Sequence, residues 1–166
     1  MEIAKSLIET LKKLCFLFSE AHIKFCLIGG LAVGVLAKPR ATEDIDLLVL
    51  VDENKKETIA KLVKDNFEVI QDHNLMRFKE ATIWRIVIKD AFTNDSGGLV
   101  IIDLVFADNE VYEKAVKDVI TIQIDRVDIP VVKPENLIRI KRLSNRPRDL
   151  LDIRELQESI DGIQTI

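Results

Sequence analysis

Apolar residues fall at Ile3, Leu7, Leu11, Leu14 and Phe18, spaced by three and four, which predicts an amphipathic helix over Glu2 to Ala21. The period then changes. Phe25 to Ile28 reads as a short buried strand that runs into Gly29-Gly30. Leu31 to Ala37 predicts a short apolar helix, which Lys38-Pro39-Arg40 stops. Asp44 to Val51 predicts the second strand. Asp52 suits the N-cap of a helix over about Glu53 to Asp65, with Ile59, Leu62 and Val63 turned to the core.

The middle of the chain is strand-rich. Phe67–Ile70, Leu75–Lys79, Thr82–Lys89 and Leu99–Phe106 fit strands, with His73 in a polar loop and the cluster Thr93 to Gly98 turning the chain. A helix over about Asn109 to Lys117 follows, then short paired strands at Ile120–Ile124 and Val127–Val132. Two helices, Glu135–Leu143 and Pro147–Ile160, close the sequence, and proline suits the first helical position of the second. No repeat, low-complexity tract or linker interrupts this order. Helices alternating with strands, then a helical tail, predict an α/β (α+β) fold: a mixed β-sheet flanked by helices, with a C-terminal helical pair.

A chain of 166 residues supports one domain with a real core. Its 48% hydrophobic and 31% charged residues are ordinary for a globular protein. The longest apolar runs are strand-sized, and Glu2, Lys5 and Glu9 interrupt any leader-like stretch, so a cytoplasmic protein without a membrane partner is expected. Cys15 and Cys26 lie in apolar stretches without CxxC spacing and read as small core residues; two distant histidines, His22 and His73, make zinc improbable. The net charge of −4 argues mildly against broad nucleic-acid binding. Against that mean, Lys133, Arg139, Lys141, Arg142, Arg146 and Arg148 form a basic block with one acid, Glu135; it reads as a solvated helix face or as a surface for phosphates.

The chemistry concentrates between Ile28 and Leu47. Gly29-Gly30 at a strand-to-helix junction lets a phosphate approach backbone N–H groups at a helix N-terminus. Asp44 and Asp46 stand at i and i+2 of a strand, so their carboxylates share one face. Asp103 interrupts the apolar strand Leu99 to Phe106, where a carboxylate is costly unless it is paired, binds metal or reaches solvent at the strand end. Each signal alone is weak. Their order is specific: apolar strand, glycine pair, short helix, paired acids, later lone acid.

In that order the chain resembles the nucleotidyltransferase superfamily related to DNA polymerase β. Its pattern of apolar-Gly-Gly, then acid-apolar-acid, then a third acid matches Ile28-Gly29-Gly30, Asp44-Ile45-Asp46 and Asp103. Arg40 to Leu47 looks more narrowly like the branch that holds the AbiEii abortive-infection toxins and small or minimal nucleotidyltransferases. Lys141, then Arg148-Asp149-Leu150-Leu151-Asp152, is similar to that branch's C-terminal motif. The resemblance implies one domain over residues 1–166, with a catalytic core over about 22–132 and C-terminal helices over about 134–160. It implies NMP transfer from an NTP by a two-metal mechanism: Asp44, Asp46 and Asp103 as catalytic Mg²⁺ ligands, Gly29, Gly30 and Lys141 near the phosphates. Arg40 and Thr42 would contact phosphates or pin their loop. Asp149 and Asp152 would orient Lys141, or cap and pair within the last helix. The acceptor, whether RNA, protein or small molecule, is left open, and an antitoxin partner is implied by the toxin branch. Two other readings stand beside this one. One is a nucleotide-binding sensor or partner subunit without turnover, against which three intact acids argue. The other is an antitoxin-like protein-modifying subunit, whose usual Gly-Ser and Ser-Asp-Ile-Asp context this chain lacks.

Overall fold

The structure, a computed structural model, describes residues 2–92 and 97–164. Helix α1 (Glu2–Glu20) buries Leu7, Leu11, Leu14 and Phe18, so the three-and-four spacing has become one apolar face. Phe18 meets Phe25 edge to face, with ring centroids 5.4 Å apart, and this joins the helix to strand β1 (Lys24–Ile28). Helix α2 (Gly29–Leu36), strand β2 (Asp44–Leu50), a 3₁₀ turn (Glu53–Lys55) and helix α3 (Lys56–Asn66) follow. Then come β3 (Val69–Arg77), β4 (Thr82–Lys89), β5 (Leu99–Phe106), α4 (Glu110–Lys117), β6 (Val119–Ile124) and β7 (Val127–Val132). Helices α5 (Pro134–Ser144) and α6 (Pro147–Gln164) close the fold.

Among the described residues the strands form one seven-stranded sheet in the order β3-β4-β5-β2-β1-β7-β6. β2 pairs with β5, and β1 with β7, in parallel; the other neighbours are antiparallel. The mixed sheet with flanking helices is the expected one. At its centre Ile45, Leu47, Ile102 and Leu104 are fully buried, while Asp44 and Asp46 alternate with them onto the half-open face. Cys15 and Cys26 are buried free thiols, each pushed up to about 12 by burial.

Local expectations shift in three places. Helix α2 starts at Gly29 rather than at Leu31, so the glycine pair forms its first turn. Asp52 does not cap α3 with its side chain; its carbonyl accepts from Lys55 N–H, and the intervening residues form the 3₁₀ turn. The two strands expected around Phe67–Lys79 are one, β3, and His73 lies within it. An irregularity between Asp72 and Leu75, with Asn74 at φ 57°, absorbs the polar residues that look like a loop. Residues 93–96 of the expected Thr93-to-Gly98 turn lie outside the described residues. Elsewhere β4, β5 and β7 coincide with their expected spans, and Asn109 caps α4 by accepting from Tyr112 N–H.

Candidate active site

One row of residues crosses the sheet. Asp46 on β2 is the register partner of Asp103 on β5, and Asp103 is the partner of Arg85 on β4. Directly paired residues of neighbouring strands project from the same face, so two carboxylates and a guanidinium are set side by side by backbone register alone. Asp44, two residues before Asp46, joins them. One carboxylate oxygen from each of Asp44, Asp46 and Asp103 lies within 4.8 Å of the other two.

The glycines stand over this cluster. Gly29 has φ 70°, and a Cβ there would lie 2.1 Å from Asp46 Oδ2, so only glycine allows the carboxylate so close to the helix start. A Cβ on Gly30 would lie 2.9 Å from Thr42 Oγ1. Thr42 donates to Asp44 Oδ1 at 3.2 Å and so fixes the first acid of the pair.

Arg40 takes the second strut. Its Nη1 bonds Asp152, which is 1% exposed on α6. Lys141 on α5 is also buried, with Nζ 2.8 Å from Asp152 Oδ2 and 3.5 Å from Asp149 Oδ1. Asp149 Oδ2 accepts further from Ser144 Oγ at 2.9 Å, Arg146 N–H at 2.9 Å and Arg146 Nε at 3.1 Å. Burial alone would push Asp149 up, but these donors hold its carboxyl below the ordinary range. The C-terminal motif is therefore a buried ion cluster that ties both closing helices to the loop before β2. Asp149 and Asp152 both pair with Lys141, and of the two Asp149 also accepts from Arg146 at the start of the last helix.

These groups border a cavity of about 640 Å³ between the sheet face and α5–α6. Its polar lining includes the glycine pair, the three acids, Arg40, Thr42 and Lys141, and its apolar lining includes Met76, Phe78, Ile83, Val105 and Tyr112. Of the basic block, Lys141, Arg146 and Arg148 border the cavity. Lys133 instead pairs with Asp118, and Arg139 donates to Asn136, so the block is not one phosphate-facing surface.

The electrostatics are unbalanced at one point. Burial pushes Asp46 up to about 7, with the Asp44 and Asp103 charges adding to it and Lys141 and Arg146 opposing. Among the described residues Asp46 has no ion-pair partner, so the cluster is short of positive charge where it faces the glycines. Asp103 is different. Arg85 grips it with Nε on Oδ1 at 2.8 Å and Nη2 on Oδ2 at 2.6 Å, and this hold raises the guanidinium further above its ordinary pKa. Sequence reading missed Arg85. The available signal was a lone arginine inside the apolar run Ile83 to Ile88, opposite in charge to the lone acid of Leu99 to Phe106.

The chain matches the sequence model of a family described as "Nucleotidyl transferase AbiEii toxin, Type IV TA system" over residues 14–165. No curated protein sequence matches it. Among solved structures it resembles an antigenic nucleotidyltransferase-like protein of Paracoccidioides brasiliensis, at 20% identity and TM-score 0.63, covering 95% of this chain and 76% of that one. It also resembles the lincosamide antibiotic adenylyltransferase LnuA with lincomycin bound, at 17% identity and TM-score 0.54, covering 92% and 95%. A third is ANT(2″)-Ia in complex with adenylyl-2″-tobramycin, at 13% identity and TM-score 0.55, covering 97% and 92%. At these identities the likeness is one of fold.

Proposed function

We propose, from the premise that the chain belongs to the AbiEii nucleotidyltransferase family, that its acid cluster transfers a nucleoside monophosphate from an NTP to an acceptor hydroxyl. The observation that carries this reading is the convergence of Asp44, Asp46 and Asp103 within 4.8 Å beneath the glycine pair. Three carboxylate oxygens are hard ligands of the kind Mg²⁺ takes, and the raised Asp46 pKa marks a place that a cation would relieve. When bound, two Mg²⁺ ions would neutralise the triphosphate and stabilise the entering and leaving oxygens.

The chain's own residues supply the rest. Asp44 and Asp46 would hold the ions that meet the nucleotide. Gly29 and Gly30 leave open backbone where the β- and γ-phosphates would lie, at the N-terminal end of α2. Lys141 and Arg40, tied down by Asp149 and Asp152, would face the phosphates with little orientational freedom left to lose. Asp103 would share the second ion and accept the hydrogen bond of the attacking hydroxyl. The acceptor oxygen would bond to the α-phosphorus as its proton passes to Asp103, the bond from that phosphorus to the bridging oxygen would break, and pyrophosphate would leave. In this reading residues 1–166 act as one nucleotidyltransferase unit, a core over about 22–132 closed by helices over about 134–160.

The acceptor is RNA, protein or a small molecule. One structural neighbour is described as a lincosamide antibiotic adenylyltransferase and another holds adenylyl-2″-tobramycin, whereas the family is one of toxins, for which the partner would be an antitoxin. No helix among the described residues is long and apolar enough to cross a membrane, and the protein is proposed to work in the cytoplasm. One observation favours a second reading, nucleotide binding without turnover: the third acid is already held by Arg85. Incubating the protein with each α-labelled NTP, Mg²⁺ and total cell extract separates the two. Label entering an acceptor, and lost with Asp44→Asn, supports transfer. Bound nucleotide with no labelled acceptor in any extract would give the second reading the lead.

A further inference from the structure

We infer that Arg85 is a positioning residue that competes with a second divalent cation for Asp103. The inference rests on the reading of the three acids as a metal site. Asp103 is 5% exposed, and both its oxygens accept from one guanidinium. The same Nη2 lies 4.0 Å from Asp44 Oδ2. Arg85 therefore reaches toward both outer acids, where a cation bridging them would stand. Asp46 is left to the glycine side, so the cluster is closed at one end and open at the other.

Charge gives the same asymmetry. Three carboxylates, one guanidinium and one divalent ion leave no net charge. A second ion beside an unmoved Arg85 would leave two positive charges in a half-buried site, which disfavours it until a triphosphate arrives or the guanidinium withdraws. Withdrawal is sterically open, because the Arg85 side chain is 39% exposed and borders the cavity. The nucleotide-free protein thus holds one ion at Asp44 and Asp46, and the second place is weak because Arg85 must release Asp103 to open it.

Mn²⁺ titration of the nucleotide-free protein, followed by electron paramagnetic resonance and calorimetry, tests this. Wild type should bind one ion, with a second at least about tenfold weaker; Arg85→Gln should tighten that second ion by about tenfold or more. Arg85→Lys keeps the charge but cannot grip both oxygens, so it should show part of the gain. The gain should vanish when Arg85→Gln is combined with Asp103→Asn. An unchanged isotherm in Arg85→Gln overturns the inference. So does a gain that persists without Asp103 while Arg85→Lys behaves as wild type, since that is long-range repulsion alone. If Asp44→Asn abolishes Mn²⁺ binding in any of these cases, the metal reading survives and only the role of Arg85 falls. If wild type binds no Mn²⁺ at all, both fall.

Discussion

Asp46 and Asp103 are register partners on adjacent parallel strands, and their carboxylates leave the sheet from the same face. Strand pairing holds them there, so neither can relieve the repulsion by moving its backbone. Burial first, then the charges of Asp44 and Asp103, push Asp46 up to about 7 in the folded chain against an ordinary 3.8. Between those values the folded state keeps a proton that the unfolded state has released. Stability of the metal-free protein should therefore fall as pH rises from about 4 to 7, then level off.

Asp46→Asn isolates this effect. In EDTA the variant should be more stable than wild type at pH 8, by about 2–4 kcal/mol, with the difference shrinking toward pH 4. Asp149, held below the ordinary range, contributes stability that is lost only at the acid end, so it leaves the upper window clear. Urea denaturation at several pH values measures the difference. Parallel curves for the two proteins from pH 5 to 8 would refute the raised pKa.

NTP together with Mg²⁺ should raise the melting temperature, because a ligand that binds only the folded state stabilises it by mass action. EDTA should remove most of the shift, since the triphosphate would then meet uncompensated carboxylates. Scanning fluorimetry decides it. An equal shift in EDTA would show that the acids do not hold the metal.

Asp103→Asn keeps the side-chain shape and removes its charge. NTP affinity should stay within about tenfold of wild type, while label transfer falls at least about a hundredfold, roughly 2.7 kcal/mol of barrier. Calorimetry and single-turnover labelling give the two numbers. Equal transfer by the variant would remove Asp103 from the chemistry.

Gly29→Ala places a methyl group 2.1 Å from Asp46 Oδ2, at a backbone φ of 70° that alanine resists. It should cost about 1–3 kcal/mol of stability and abolish the shift given by NTP and Mg²⁺. Thermal melts with and without ligand test both. A variant that melts like wild type and still responds to nucleotide would show that the close approach is dispensable.

The parts of this fold legible from residues alone are those where one periodicity dominates. Strands β4, β5 and β7 and helix α1 are written in apolar spacing that only one element type can bury. Strand β3 is not, because His73-Asn74 has turn chemistry; what keeps it a strand is nonlocal, its antiparallel pairing with β4, joined by the Trp84 Nε1 bond to Asp72 Oδ1 at 2.7 Å. The acids stood out because a carboxylate in or at the end of an apolar strand is conspicuous. Arg85 did not, because an arginine in a strand is ordinary until its register partner is known, and register is settled by tertiary pairing. The same holds for the Arg40 bond to Asp152, whose partners lie 112 residues apart.

That last separation has a consequence for synthesis. A chain emerging from the ribosome has its glycine turn and all three acids well before α6 exists. Until Asp152 is translated, Arg40 lacks this anchor and Lys141 its nearer carboxylate, so these two cavity-lining cations cannot yet be locked in place. The strands can pair early, but the cleft is finished by a residue 112 positions after Arg40. Nascent and prematurely ended chains would carry the acids without the clamp, so the cavity would be complete only once α6 has been made.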